Sequence, residues 1–313
     1  MWAILRALLM GWSLGANDAA NVFGLGVGVR AVRYRTAVVL TSVFVLLGAY
    51  LGGARGIATY SALTGHDLAT AFCVALGAGL TVTLMTFLGL PVSATQAAVG
   101  AIIGVALAAD RPVEWGVMVR IALSWITSPL GSLILAYLLY RFVGPPLQRR
   151  LAGITAYDTF LRWAIVVVGI AGSYALGANS VANVTGVYVG AGLLSVPAAA
   201  LIGGGSIALG AFTYARRVME TVGERLVHLG LLPALFAAIS QAAILCLFAY
   251  VGVPVSTSQA VVGAVVGIGL VKGVSAVNAR QLGAVFAGWA LTPLVAGVAG
   301  FILWLLLEAV LPA

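Results

Sequence analysis

Leu14-Gly15-Ala16-Asn17-Asp18-Ala19-Ala20-Asn21-Val22 returns 162 residues later as Leu176-Gly177-Ala178-Asn179-Ser180-Val181-Ala182-Asn183-Val184. A second segment, Pro91-Val92-Ser93-Ala94-Thr95-Gln96-Ala97, is echoed at an offset of 163 by Pro254-Val255-Ser256-Thr257-Ser258-Gln259-Ala260. Trp125 with Thr127-Ser128-Pro129 has a looser counterpart in Trp289 with Leu291-Thr292-Pro293. Three echoes in one order at nearly one offset mark an internal duplication. The first half covers residues 1–150 and the second 151–313.

These motifs lie in an apolar chain. Of 313 residues 62% are hydrophobic and 8% charged, against roughly 25% charged in soluble domains, and the mean hydropathy is +1.14. So few charges cannot solvate the surface of a globular protein of this size, which makes lipid the solvent. Forty glycines suit closely packed transmembrane helices, and the long apolar runs lack the ~10-residue alternation of an outer-membrane barrel. The fold class is therefore an all-α polytopic membrane protein. Cys73 and Cys246 sit in apolar runs and read as packing residues rather than as a disulfide or a metal site. With no soluble domain to display it, the net charge of +8 reads as a topology signal rather than as a nucleic-acid surface. No cleavable signal peptide is expected, because Met1 to Met10 has no basic leader region.

Each half reads as a first helix interrupted at its signature (about 2–29; 160–190), a second helix (36–54; 196–214) and a polar segment. An apolar pair then meets at a Pro-Val-Ser tip (69–109; 230–271), and a long final helix contains Pro129 or Pro293. Whether each pair is a re-entrant hairpin or two full spans, it returns to its starting side. Each half therefore crosses an odd number of times and the two copies are inverted. With both termini outside a cytoplasmic membrane, twelve of the sixteen basic residues fall inside, among them Arg30, Arg33, Arg35, Arg216, Arg217 and Arg280. Inverted repeats with interrupted helices are the pattern of secondary transporters, whose sites lie near the bilayer midplane.

Asp18 is the acidic residue set deepest in an apolar run, and an ionised group at a helix centre costs at least ~2.5 kcal/mol unless paired or hydrated. Asn17 and Asn21 share a helix face beside it, and Gly15 and Gly24 would let the helix unwind and expose carbonyls. Carboxylate, amide and carbonyl oxygens suit a hard cation such as Na⁺, placing a cation at Asn17, Asp18, Asn179 and Ser180. The alternative is that the amides only bond neighbouring helices. At the tips, proline ends one helix and Ser93 or Ser256 caps the next, which aims free N–H groups and the positive end of a dipole into the cavity. Ser93, Thr95 and Gln96, with Ser256, Thr257, Ser258 and Gln259 and with Asn21 and Asn183, form the expected anion site. The alternative is a pair of capped turns without a ligand. His66 and His228 read as solvated or interfacial, and Arg55–His66 and Arg216–His228 as short amphipathic interfacial helices. Trp2, Tyr50 and Tyr140 read as interface anchors.

Gly15-Ala16-Asn17-Asp18-Ala19-Ala20-Asn21 and Pro254-Val255-Ser256-Thr257-Ser258-Gln259 resemble the inorganic phosphate transporter family of cation-coupled permeases. The resemblance covers both halves. It implies an inverted-repeat fold, coupling to Na⁺ or H⁺ with no resident cofactor, a phosphate-like substrate and a homodimer in the inner membrane of a prokaryote. Bacterial sulfate permeases belong to the same family. The chain departs from the family pattern at Ser180, where the second signature usually repeats the aspartate, and at Gln96 and Gln259, where many members carry a titratable histidine.

Phosphate import is the favoured function. Monohydrogen phosphate carries a proton that the acceptor-only Asp18 carboxylate can receive, whereas sulfate has none to donate. Sulfate import is the alternative, made easier by the uncharged Ser180, and a passive anion channel is the rival class. An enzyme is not expected, because the apolar segments hold no Ser/His pair, paired carboxylates or metal-ligand spacing.

Overall fold

A computed structural model describes residues 2–87, 92–150, 153–225, 229–273 and 279–310. Pro91 and His228 lie outside these residues. The described chain is almost entirely helical, with one isolated bridge, Thr64 to Val113. The helices are α1 (Trp2–Gly28), α2 (Tyr34–Gly52), α3 (Ala54–Ser61), α4 (Leu68–Phe87), α5 (Ala94–Ala108) and α6 (Trp115–Leu138). A single π turn (Leu139–Val143) joins α6 to α7 (Gly144–Arg150). There follow α8 (Ile154–Gly190), α9 (Val196–Arg225), α10 (Leu231–Val251), α11 (Thr257–Lys272) and α12 (Ala279–Val310). Among the described residues seven helices are long and apolar enough to cross a bilayer, α4 and α10 included, while α5 and α11 fall short. At 15 and 16 residues these two reach only about 22–24 Å, against a hydrocarbon core of about 30 Å.

The two halves interlock. α1 packs along α9 and α2 along α8, while α5 packs on α12 and α11 on α6. These contacts are made by glycines at matching places. A Cβ on Gly15 would lie 1.9 Å from the Ile207 carbonyl oxygen, and one on Gly177 would lie 1.9 Å from that of Val45. Gly100 presses on the Pro293 carbonyl and Gly263 on that of Pro129, at 2.2 and 2.1 Å by the same measure. Helix follows helix with no side chain between, which is how polytopic bundles pack without a hydrophobic driving force. α1 and α8 run antiparallel, since Phe23 meets Gly169 while Gly26, further along α1, meets Ile165.

Three expectations need correction. α1 and α8 are unbroken through their signatures. Their glycines serve close approach of helices rather than unwinding, so no carbonyls are released around Asp18. The segment from Arg216 is no separate interfacial helix, because α9 continues to Arg225; no glycine or proline falls between Ala211 and Val222 to end it. His66 is not solvated. Both ring nitrogens are enclosed without a hydrogen-bond partner among the described residues, and the ring lies against the C-terminal end of α8 at Gly190.

His66 belongs to a staple between two loops at the base of the first hairpin. Arg111 pairs with Asp67, the Thr64 hydroxyl donates to the Pro112 carbonyl at 2.6 Å, and the Glu114 N–H donates to that of Leu63 at 2.9 Å. Burial works against the Asp67 charge, but donors from Thr70, together with Arg111, outweigh it and hold the carboxyl below its ordinary value. Burial, and then the Arg111 charge, pushes the His66 imidazole down to about 4 from an ordinary 6.5.

Two predictions follow from this packing. Gly15→Ala should destabilise the protein by at least the ~1–3 kcal/mol of an overpacked core, whereas Gly116→Ala, with open space around it, should be neutral; thermal unfolding in detergent measures both. Because the folded state disfavours the His66 proton, stability should be full above pH 6.5 and decline as pH falls from 6.5 towards 4. His66→Gln should flatten that decline, and unchanged acid sensitivity in the variant would assign it to another group.

Candidate functional site

The hairpin tips set the site. Non-helical backbone, Val92–Ser93 in one tip and Val253–Ser256 in the other, precedes a helix with a polar first turn, Thr95 and Gln96 in α5 and Thr257 to Gln259 in α11. The Ser93 hydroxyl accepts the Gln96 N–H at 3.3 Å and the Ser256 hydroxyl that of Gln259 at 3.4 Å, so both serines cap as expected. The two tips meet. The Thr95 hydroxyl donates to the Val255 carbonyl at 3.1 Å and the Ser258 hydroxyl to that of Val92 at 3.2 Å. Two helix N-termini from opposite halves therefore face one buried region.

The signature residues of α1 and α8 close on this region. Asn17, Asp18, Asn21, Asn179, Ser180 and Asn183, with the tip residues Ser93, Thr95, Gln96, Ser256, Thr257, Ser258 and Gln259, are all 8% exposed or less. Asn183 donates to the Thr95 hydroxyl at 3.2 Å. Asn21 donates to the Asp18 carboxylate at 3.4 Å, and the Thr257 hydroxyl is enclosed without a hydrogen-bond partner among the described residues. All the sequence-predicted site residues within the described chain are thus buried, and hydrogen bonds join the two tips to each other and to Asn179 and Asn183.

The two signatures are not used alike. Asn179 holds the second tip with both ends of its amide, donating to the Val255 carbonyl at 2.7 Å and accepting the Val255 N–H at 3.0 Å. Asn17 instead donates to the Thr86 hydroxyl on α4 at 3.2 Å. An acidic side chain stands only in the first half, at Asp18, and Ser180 at the matching place has a buried hydroxyl with no partner among the described residues.

Other buried polar atoms here also lack partners: the side-chain oxygens of Gln96, Gln259 and Asn183. Each unsatisfied group costs ~1–3 kcal/mol, and several on one surface is the condition a polar ligand relieves. The duplicated tryptophans Trp125 and Trp289 share this feature, with both indole N–H groups enclosed and unpartnered.

Several residues that position the site carry no local signal. Tyr60, fully buried on α3, donates its hydroxyl to the Thr95 carbonyl at 3.3 Å. Arg55 donates to the Tyr250 carbonyl and lies 4.6 Å from the centre of its ring, and Thr59 donates to the Gly252 carbonyl at 2.6 Å. At φ +81° Gly252 makes the left-handed turn that ends α10. α3, expected at the membrane interface, thus braces both tips, and its polar spacing alone would not have told a brace from a surface helix.

The model of the Phosphate transporter family matches residues 14–300. A protein named "Putative phosphate permease" from Methanocaldococcus jannaschii is 30% identical over 290 residues, which is 93% of this chain and 92% of that one. One of the same name from Pyrococcus furiosus is 30% identical across 94% of this chain and 93% of its own. The "Sulfate permease" of Bacillus subtilis is 29% identical over 86% of this chain and 77% of its own. Among solved structures, one described as "The sodium-dependent phosphate transporter" superposes with a TM-score of 0.87 at 24% identity, covering 99% of this chain and 98% of the other. It has the same fold.

The unequal use of the asparagines predicts unequal damage. Asn179→Leu strands a buried N–H and a buried carbonyl at Val255, at ~1–3 kcal/mol for each, while Asn17→Leu removes a single bond to a hydroxyl. Thermal unfolding should show the larger loss for Asn179→Leu, and equal losses would contradict its bracing role.

Proposed function

The chain belongs to the phosphate transporter family, and from that premise we propose that it is a secondary active transporter importing inorganic phosphate together with Na⁺ by alternating access. The observation that carries the reading is the meeting of two capped helix N-termini in a buried region that also holds one carboxylate. Dipole ends and N–H groups favour an oxyanion, and Asp18 favours a cation. Unneutralised and ionised, Asp18 would repel the anion by about 4 kcal/mol per unit of anion charge at 4 Å in a medium of effective dielectric 20. Occupation by Na⁺ removes that repulsion, which makes anion binding depend on the cation and supplies the coupling.

In this reading the halves are inverted repeats, supported by the antiparallel run of α1 against α8 and by the matched glycine contacts. Tips of inverted hairpins can touch only if both re-enter from opposite faces and stop inside the protein, which agrees with the short α5 and α11. Cation ligands come from Asn17 and Asp18, with Ser180 facing them from the other half. The anion lies against Ser93, Thr95, Gln96, Ser256, Thr257, Ser258 and Gln259, between Asn21 and Asn183. Asn179 positions the second tip through Val255. Rocking of one half against the other then exposes the site to one side at a time, in a cytoplasmic membrane with both termini outside.

Phosphate is preferred to sulfate on the chemistry of Asp18. A carboxylate has two oxygens that only accept, so with one on the cation the other can receive the proton of monohydrogen phosphate, which sulfate lacks; with both on the cation the preference disappears. The carboxamides of Gln96 and Gln259 can turn to present either end and so serve both ions. Sulfate remains the second reading, favoured by the uncharged Ser180 and by the sulfate permease among the relatives.

Uptake of labelled phosphate and sulfate, side by side in proteoliposomes under imposed Na⁺ and proton gradients, tests the reading. The expected result is phosphate accumulation driven by Na⁺ and lost in Asp18→Asn, which should still fold. Normal Na⁺-driven uptake by that variant would overturn the role of Asp18, and preferential sulfate accumulation would reverse the substrate.

A further inference from the structure

α2 and α9 lie side by side and run in opposite directions. Ser42 donates to the Ala208 carbonyl at 3.2 Å, Leu46 meets Gly204, and the Arg216 guanidinium lies 5.8 Å from the centre of the Tyr34 ring. The start of α2 and residue 216 of α9 therefore share one end of the bundle. They also share a polar boundary, because the apolar spans of these two helices are Tyr34–Gly52 and Val196–Arg216.

Each helix has an arginine at the head of an exposed apolar row. On α2, Arg35 is followed at four-residue steps by Val39, Val43 and Leu47, and on α9 Arg216 is preceded by Phe212 and Leu209; all are exposed. Such spacings follow one ridge of a helix. Arg30 and Arg33, also exposed, stand just before Arg35 in the turn between α1 and α2. Buried Val32 anchors that turn, and Arg162 from the second half donates to the Arg30 carbonyl.

The charge is not cancelled locally. Residues 19–66 contain no aspartate or glutamate, and residues 211–225 hold three arginines against two glutamates. Asp158 is committed to Arg162 at 2.5 Å, and Arg30, Arg33 and Arg35 have no ion pair among the described residues. Nor do Arg33 and Arg35 serve the helix they begin. They are the N-cap residue and part of the first turn of α2, where a positive charge opposes the helix dipole.

Positive charges at the polar boundary, each heading an apolar row open to lipid, match an amphiphile with an anionic head and hydrocarbon chains. We propose that the meeting ends of α2 and α9 form a docking surface for a phospholipid with an anionic headgroup. Its phosphate lies among Arg30, Arg33, Arg35 and Arg216, and its chains lie along the apolar rows below Arg35 and Arg216. The surface draws on both halves, and the inference does not depend on which ion is transported.

The test is native mass spectrometry of the full chain in neutral detergent with phosphatidylglycerol or phosphatidylcholine added, which reads bound lipid and oligomeric state together. The expected result is tighter binding of phosphatidylglycerol. A triple variant, Arg30→Gln with Arg33→Gln and Arg35→Gln, should weaken that binding on the order of a hundredfold, at about fivefold per arginine, and leave phosphatidylcholine unaffected. A second triple variant, Arg141→Gln with Arg149→Gln and Arg150→Gln, removes the same charge from exposed positions elsewhere and should keep the preference. If the first variant does not fold, Arg35→Gln alone should show the single step of about fivefold. Equal binding of the two lipids by the unsubstituted protein, undiminished binding by the first variant, or equal losses in both triple variants would each overturn the surface. A change of oligomeric state in the first variant without loss of lipid would overturn it too, assigning the face to a second copy of the chain.

Discussion

Non-helical backbone at membrane depth is tolerable only where protein supplies its hydrogen bonds, because hydrocarbon supplies none. Here buried non-helical backbone occurs at Val92–Ser93 and at Gly252–Ser256, and its hydrogen bonds come partly from the other half of the molecule and partly from the same half. Thr95 reaches Val255, Ser258 reaches Val92, and Asn179, Tyr60 and Thr59 bind tip carbonyls from outside. Separating the tips would break the Thr95 bond to Val255 and the Ser258 bond to Val92 and leave the Val92 carbonyl without that donor. The long helices hold the tips in register, and the glycine contacts of α1 with α9 and of α2 with α8 provide the rigidity that this requires.

On this frame of matched contacts the chemistry is unequal. The glycines, capping serines and tryptophans with enclosed N–H groups correspond between halves, but the acidic residue does not, since Ser180 stands where the first half has Asp18. The asparagines have diverged in use, one bracing a tip through two backbone bonds and the other bonded to a hydroxyl on α4. Packing constrains both halves equally, because each must close on the other. A ligand-bearing side chain meets no such demand and can be lost from one half while the fold stays intact.

Much of this was legible in the residues. The excess of apolar over charged side chains indicates a helical membrane protein, and the repeated signatures locate the two halves and the polar residues that come together between them. Proline followed by a capping serine predicts the tips, since both effects act within a few residues. The roles of the signature glycines were not legible. A glycine in an apolar helix fits an unwound segment as well as a close crossing, and the choice depends on whether another backbone arrives beside it.

Composition, duplication and local capping chemistry thus determined the class of the protein, its two-part construction and the polar segments that matter. Only the tertiary structure decided that α1 and α8 stay unbroken, that Asn179 grips Val255, that Arg55 and Tyr60 are drawn to the tips, and that Thr86 bonds Asn17. Those outcomes depend on partners 35 to 195 residues away in the chain. Hydrophobic period and capping report what a segment does within its own few turns, whereas the partner of a buried amide or glycine is set by which distant helix the assembled bundle brings against it.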